Sequence, residues 1–172
     1  MTTAQRFDTI LKNGRVVDPV NGTDGQFDVG IRQGKIAVVS EDIPNEQADD
    51  IIDASGQIVM PGHIDTHAHL SSPQDRNIDR SYGHSMLVES GTTTALDLAG
   101  DPTLMAEGMR RRGAGLNVAT LMGLVPHMTI SEDDPRPSII RDVIADVKTQ
   151  GGIGVKMLGG YHPFTPEASA DV

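Results

Sequence analysis

The sequence predicts an α/β protein in two parts: a small all-β unit over residues 1–60, then the first half of a (β/α)8 barrel over residues 61–172. Three observations carry this. Short alternating apolar runs fill the N-terminal part, with no helical periodicity of useful length. The pattern changes at Pro61-Gly62. From there strand-like and helix-like segments alternate four times, the signature of parallel strands joined by helical crossovers.

The β unit opens with "DTILKNGRVVD", which has around Asn13-Gly14 the same strand-and-tight-turn character as the stretch around Gln33-Gly34. "FDVGIRQGKIAVVS" places Phe27, Val29 and Ile31 on one face, with a tight turn at Gln33-Gly34 before Ile36 and Val38. "DIIDASGQIVM" supplies two further short strands around "DASG". In the second part "HIDTHAHL" is the first strand, and Ile78, Tyr82 and Met86 mark a helical face at i, i+4, i+8 that stops at Gly91. Thr92 to Ala99 is a β-branched strand. Asp101-Pro102 then caps and starts a helix closed by Gly113. Leu116 to Val125 is a third strand. Ile139, Ile140, Val143, Ile144 and Val147 share a helical face. Ile153 to Gly160 is a fourth strand, and Thr165-Pro166 opens a last helix. A doubly wound nucleotide binder would carry a glycine-rich turn after its first strand; "HLSSPQDR" is not one, which favours the barrel. Four strands make half a barrel, so the chain is expected to be the N-terminal part of something longer. The acidic loop from Pro126 to Arg136 is expected to be solvent-exposed or a lid.

Composition narrows the function. A net charge of −10 argues against nucleic acid and anionic membranes as partners. The absence of cysteine removes disulfides and thiolate metal sites. No basic, apolar leader and no run of about 18 apolar residues is present, so a cytoplasmic location is expected.

In parallel α/β folds the chemistry gathers where the strands end. His67 and His69, two of only six histidines, close the first strand. Alternation puts both imidazoles on one face, able to reach a single divalent ion; the alternatives are paired surface histidines or satisfied core ones. Asp65 falls on the same alternation, where it can support a ligand or simply cap a layer. Lys156 lies in the fourth strand between apolar neighbours. It is either paired with a carboxylate such as Asp97, or reaches out to solvent, or takes up carbon dioxide as a carbamate. Asp97 can hold a ligand from behind. His162, just past Lys156, can contact substrate or metal; His127 is in a similar position after the third strand. His63 reads as structural, and His84 as a helix-surface residue.

"IVMPGHIDTHAHL", preceded by "ILKNGRVVDP" and "DVGIRQGKIAVV", resembles the start of an amidohydrolase-superfamily enzyme, most similar to the dihydroorotase, hydantoinase and N-acyl-D-amino-acid deacylase branch. The resemblance implies a β-sandwich-like N-terminal domain joined to a metal-dependent (β/α)8 barrel. It implies that His67 and His69 bind the more buried of one or two divalent ions, zinc above all, and that Lys156 is the carbamylated bridge. Further histidines and a general-base aspartate are expected beyond Val172. Dihydroorotases place an Arg two residues after the second histidine, where "HLSS" has none, which lowers that specific activity. The expected function is metal-dependent hydrolysis of C–N bonds in a small-molecule amide or cyclic amide. A homo-oligomer is compatible with the full-length protein. The 172-residue chain alone is expected to be inactive, and the other reading is a non-catalytic fragment or paralogue with partial metal binding.

Overall fold

Twelve consecutive residues, Phe7–Asp18, form the first strand, β1, which runs straight through Asn13-Gly14. The computed structural model describes residues 6–70, 82–159 and 163–172. The chain divides into two units, Met1–Pro61 and Gly62–Val172.

In the first unit β1 pairs antiparallel with β2 (Thr23–Arg32), and β2 with β3 (Lys35–Ser40). On its other edge β1 carries two parallel strands, β4 (Ala48–Asp53) and β5 (Ile58–Val59). The turn between β2 and β3 has Gln33 and Gly34 at φ 52° and 69°, the left-handed pair that a two-residue hairpin requires. Asn13-Gly14 does something else. The register shifts between Leu11 and Gly14, a bulge inside one strand. The cause lies fifteen residues away, because the Asn13 N–H donates to Asp28 Oδ1 at 2.9 Å. A Cβ on Gly14 would lie 2.6 Å from Val59 Cγ2, so only glycine fits this close approach.

Phe7, Ile10 and Ile43 form the core of this unit, with Val38 and Ala48 packed against it. Asp28 is buried beside them and accepts the Ile43 N–H at 2.9 Å as well as the Lys12 ammonium. Burial pushes its carboxyl up, but the bonds from Lys12, Asn13 and Ile43 outweigh that and hold it below the usual range.

The second unit is a mixed α/β layer. Its sheet is β6 (His63–Ala68), β7 (Thr92–Gly100), β8 (Asn117–Leu124) and β9 (Gly154–Met157), all parallel and in chain order. This is a half-barrel of parallel strands. The helices are α1 (Tyr82–Glu89), α2 (Pro102–Arg112), α3 (Pro137–Thr149) and α4 (Pro166–Asp171). The Asp101 carboxylate caps α2 by accepting the N–H groups of Thr103 and Leu104 at 2.9 and 3.1 Å. Thr165 Oγ1 caps α4 at the Ala168 N–H. On α3, Ile140 and Val147 are buried and Ile139, Val143 and Ile144 half-buried, the face that the periodicity predicts.

Two local expectations need correcting. In α1 the periodic residue Met86 is 52 % exposed, whereas His84, expected on the helix surface, is 9 % exposed. Ile78 lies outside the described residues. The loop after β8 is mostly solvent-exposed, as expected, but it is anchored: Ile130 and Pro135 are buried, and Thr129 Oγ1 donates to Gly123 O at 2.6 Å. It is tied to the start of α4 by the Thr165 N–H, which donates to Asp133 O at 3.2 Å. Among the described residues no helix is long and apolar enough to cross a membrane.

Candidate functional site

Parallel strands put paired residues on the same side of a sheet, so the register shows which side chains share a face. Lys156 pairs with Gly123, two residues after Leu121, which pairs with Leu98. Ala68 pairs with Asp97. The register puts Lys156 on the Leu98 face, opposite Ala68 and Asp97, and the contacts of His67 and His69 put their rings on that face too. Asp97 lies on the opposite, helix-covered face and is fully buried.

The side chains confirm the register. Lys156 Nζ and His67 Nε2 lie 3.5 Å apart. Their strands are three spacings of ~4.8 Å apart, or ~14 Å along a flat sheet. The sheet must curl so that its inner face brings the two ends together. The His67 and His69 rings stand 5.4 Å apart between centroids, inclined at 67°. The structure thus gathers two imidazoles and one amine at the C-terminal edge of the half-barrel. Lys156 is half-buried and both histidines are exposed. Among the described residues no cluster of three or more His, Cys, Asp or Glu side chains is placed to hold a metal; the three groups that do converge include a lysine.

The remaining candidates separate. Strict alternation would put Asp65 on the face of His67. Instead β6 advances three residues from Asp65 to Ala68 while β7 advances two from Ala95 to Asp97, which breaks the alternation. Asp65 Oδ1 accepts the His67 N–H at 2.9 Å. Asp97 is not the partner of Lys156, since the sheet lies between them; its Oδ1 accepts the Leu70 N–H at 3.0 Å. His162 lies outside the described residues. His127 is on the loop after β8 at φ 60°, its Nδ1 3.0 Å from Ser131 O. His63 sits at the entry end of β6, its Nδ1 3.3 Å from Thr92 Oγ1.

His84 was not legible as a buried group. It lies in the field of Asp97 and Arg112: burial pushes its pKa down, Asp97 pulls it up, and Arg112 pushes it down again. Its Nδ1 is buried with no hydrogen-bond partner among the described residues. A groove of about 350 Å³ runs past His84, Val88, Glu89 and Arg112, and none of the converging groups borders it.

Several comparisons bear on this arrangement. A dihydroorotase from Solibacter usitatus is 40 % identical over 86 residues, covering 50 % of this chain and 18 % of that protein. An allantoinase from Bacillus licheniformis is 33 % identical over 133 residues, covering 70 % of this chain and 28 % of that protein. A D-aminoacylase structure superposes with a TM-score of 0.71 at 21 % identity, covering 96 % of this chain and 42 % of that one. Another structure of that enzyme, with a TM-score of 0.68 at 23 % identity and the same coverage, concerns the role of its binuclear metal center. The chain thus spans less than half the length of the relatives it matches. The Amidohydrolase family profile matches residues 58–172, well over half of the sequence, and the chain belongs to that family.

Proposed function

We propose that this chain is part of a metal-dependent hydrolase that cleaves C–N bonds in small-molecule amides or cyclic amides. The convergence of His67, His69 and Lys156 on one face, with Lys156 Nζ 3.5 Å from His67 Nε2, carries the reading. Two imidazoles on one strand end suit zinc, and the donor set fits one or two divalent ions completed by groups outside the described residues. A bound ion supplies Lewis-acid polarisation of the amide carbonyl.

Lys156 fits this set only in altered form. An ammonium turns three donors toward an imidazole whose lone pair a metal needs. If the neutral amine attacks carbon dioxide, an N–C bond forms as one C=O π pair moves onto oxygen, and the nitrogen then loses one proton to solvent. The product carbamate is an anionic acceptor in place of a cationic donor. His67 and His69 then keep their rings toward the same space, and the strand-borne backbone fixes the approach of all three.

Leu70 and Ser71 follow His69 where a dihydroorotase resemblance calls for an Arg. This favours a cyclic amide or N-acyl substrate without the carboxylate that such an Arg would hold. The first unit is proposed as one layer of a β-sandwich-like domain over residues 1–60. The row Ile52, Leu11, Val29, Val39 crosses four strands on one face, and its outer members Ile52 and Val39 are exposed, which leaves an apolar stripe for a second layer. An acidic, cysteine-free chain suits a cytoplasmic enzyme.

Metal analysis of the purified full-length protein tests the reading. About one to two zinc or manganese ions per chain are expected. Folded His67→Asn or His69→Asn protein should lose most of that metal; unchanged content refutes the site.

A further inference from the structure

We infer that Asp65 and Asp97 are positioning residues that clamp the backbone on either side of the two histidines, and so set which face of β6 the imidazoles occupy. The inference rests on the metal reading above, but its geometry stands by itself. The extra residue between Asp65 and Ala68 interrupts the β6–β7 ladder. A bulge leaves backbone N–H groups without ladder partners, and those groups need acceptors.

Asp65 provides one inside the bulge, and Asp97 provides another just past the end of β6. Asp65 Oδ1 accepts the His67 N–H at 2.9 Å, and Asp97 Oδ1 accepts the Leu70 N–H at 3.0 Å. The bonds bracket the segment His67 to Leu70. Asp97 reaches it from the helix side, directly across from Ala68, with its side chain fully buried. A buried carboxylate is costly unless it makes charge-assisted bonds to fixed donors. A slip of one residue in this strand would turn each imidazole to the other face. The clamp opposes that slip through the backbone.

Zinc affinity by chelator competition on the full-length protein, together with amide hydrogen exchange at His67 and Leu70 in metal-free protein, tests the clamp. In the wild type both amides should exchange slowly. Asp65→Ala and Asp97→Ala should accelerate exchange at His67 and Leu70 respectively, and weaken zinc binding about tenfold or more. Asp65→Asn and Asp97→Asn should restore most of both, because an amide oxygen accepts the same N–H. If Asp97→Ala does not fold, Asp65→Ala and Asp97→Asn carry the test. A folded Asp65→Ala protein with wild-type zinc affinity, or rapid exchange at both amides in the wild type, overturns the clamp. Wild-type zinc affinity in His67→Asn instead overturns the metal reading, and exchange then decides the clamp alone.

Discussion

Lys156 Nζ stands 3.5 Å from His67 Nε2 although two strands, β7 and β8, separate the strands that carry them. The contact exists because β6 to β9 curl about one axis and because both residues occupy the inner face. Neither side chain is fully buried, so solvent and small molecules reach the pair. The relationship is chemical as well as geometric: the amine and the imidazole can serve one ion only if the amine gives up its positive charge.

Removing the amine therefore tests the carbamate directly. Lys156→Ala in the full-length protein should lower hydrolase activity by about 10- to 100-fold or more. Short carboxylates such as acetate or propionate should restore part of it by supplying the missing oxygens. Wild-type activity in the variant would sink the carbamate assignment.

His84 predicts a pH dependence of stability. Its pKa lies below the ordinary value of about 6.5, chiefly through burial, with Arg112 acting in the same direction and Asp97 against it. The unfolded chain therefore takes up this proton at a higher pH than the folded one. The native state loses stability as pH falls below about 6.5, down to the folded pKa, and regains it as pH rises. The melting temperature should be lower at about pH 5.5 than at about pH 7.5, and His84→Gln should flatten the slope. An equal slope in the variant would assign the effect elsewhere.

What the sequence made legible was what local rules decide. Asp101-Pro102 and Thr165-Pro166 announce helix starts because the cap and the first turn are neighbours in sequence. His67, His69 and Lys156 were readable as residue types at strand ends, since the C-terminal edge of a parallel sheet is where chemistry gathers. The errors came from partners distant in sequence. Asn13-Gly14 reads like a hairpin turn until Asp28 takes the Asn13 N–H. Asp65 reads as a neighbour of His67 until the β7 register inserts a bulge. In α1 the spacing could not reveal that His84, rather than Met86, is the buried residue beside Asp97.

Asp28 offers a stability test in the first unit. It is 2 % exposed and holds Lys12, Asn13 N–H and Ile43 N–H together. Asp28→Ala leaves the buried Ile43 N–H without its acceptor and takes one of two carboxylates from Lys12, which keeps Asp42 and the Ile43 carbonyl, a loss of about 1–3 kcal/mol on the scale of an unsatisfied buried donor. Asp28→Asn should cost less, since its oxygen can still accept. Because the carboxyl is held low, its contribution is present above about pH 3.9 and is lost as pH falls through the folded pKa. Urea titration of both variants checks the order, and equal midpoints for wild type and Asp28→Ala would refute it.

The 172-residue chain by itself should be sticky rather than stable. Strands β6 and β9 each have one edge without a partner among the described residues. Ile64 on β6 is 61 % exposed and Ile153, just before β9, is 62 % exposed; Met157 is exposed as well. Unpaired edges bordered by apolar side chains favour association with any available strand or surface. The isolated chain should bind a hydrophobic dye, run above its monomer size on gel filtration and unfold over a broad range. Any longer chain that pairs these strand edges and covers these side chains should lack all three properties together, because they share one cause. A sharp, reversible, monomeric transition with no dye binding would show that the half-barrel covers its own edges.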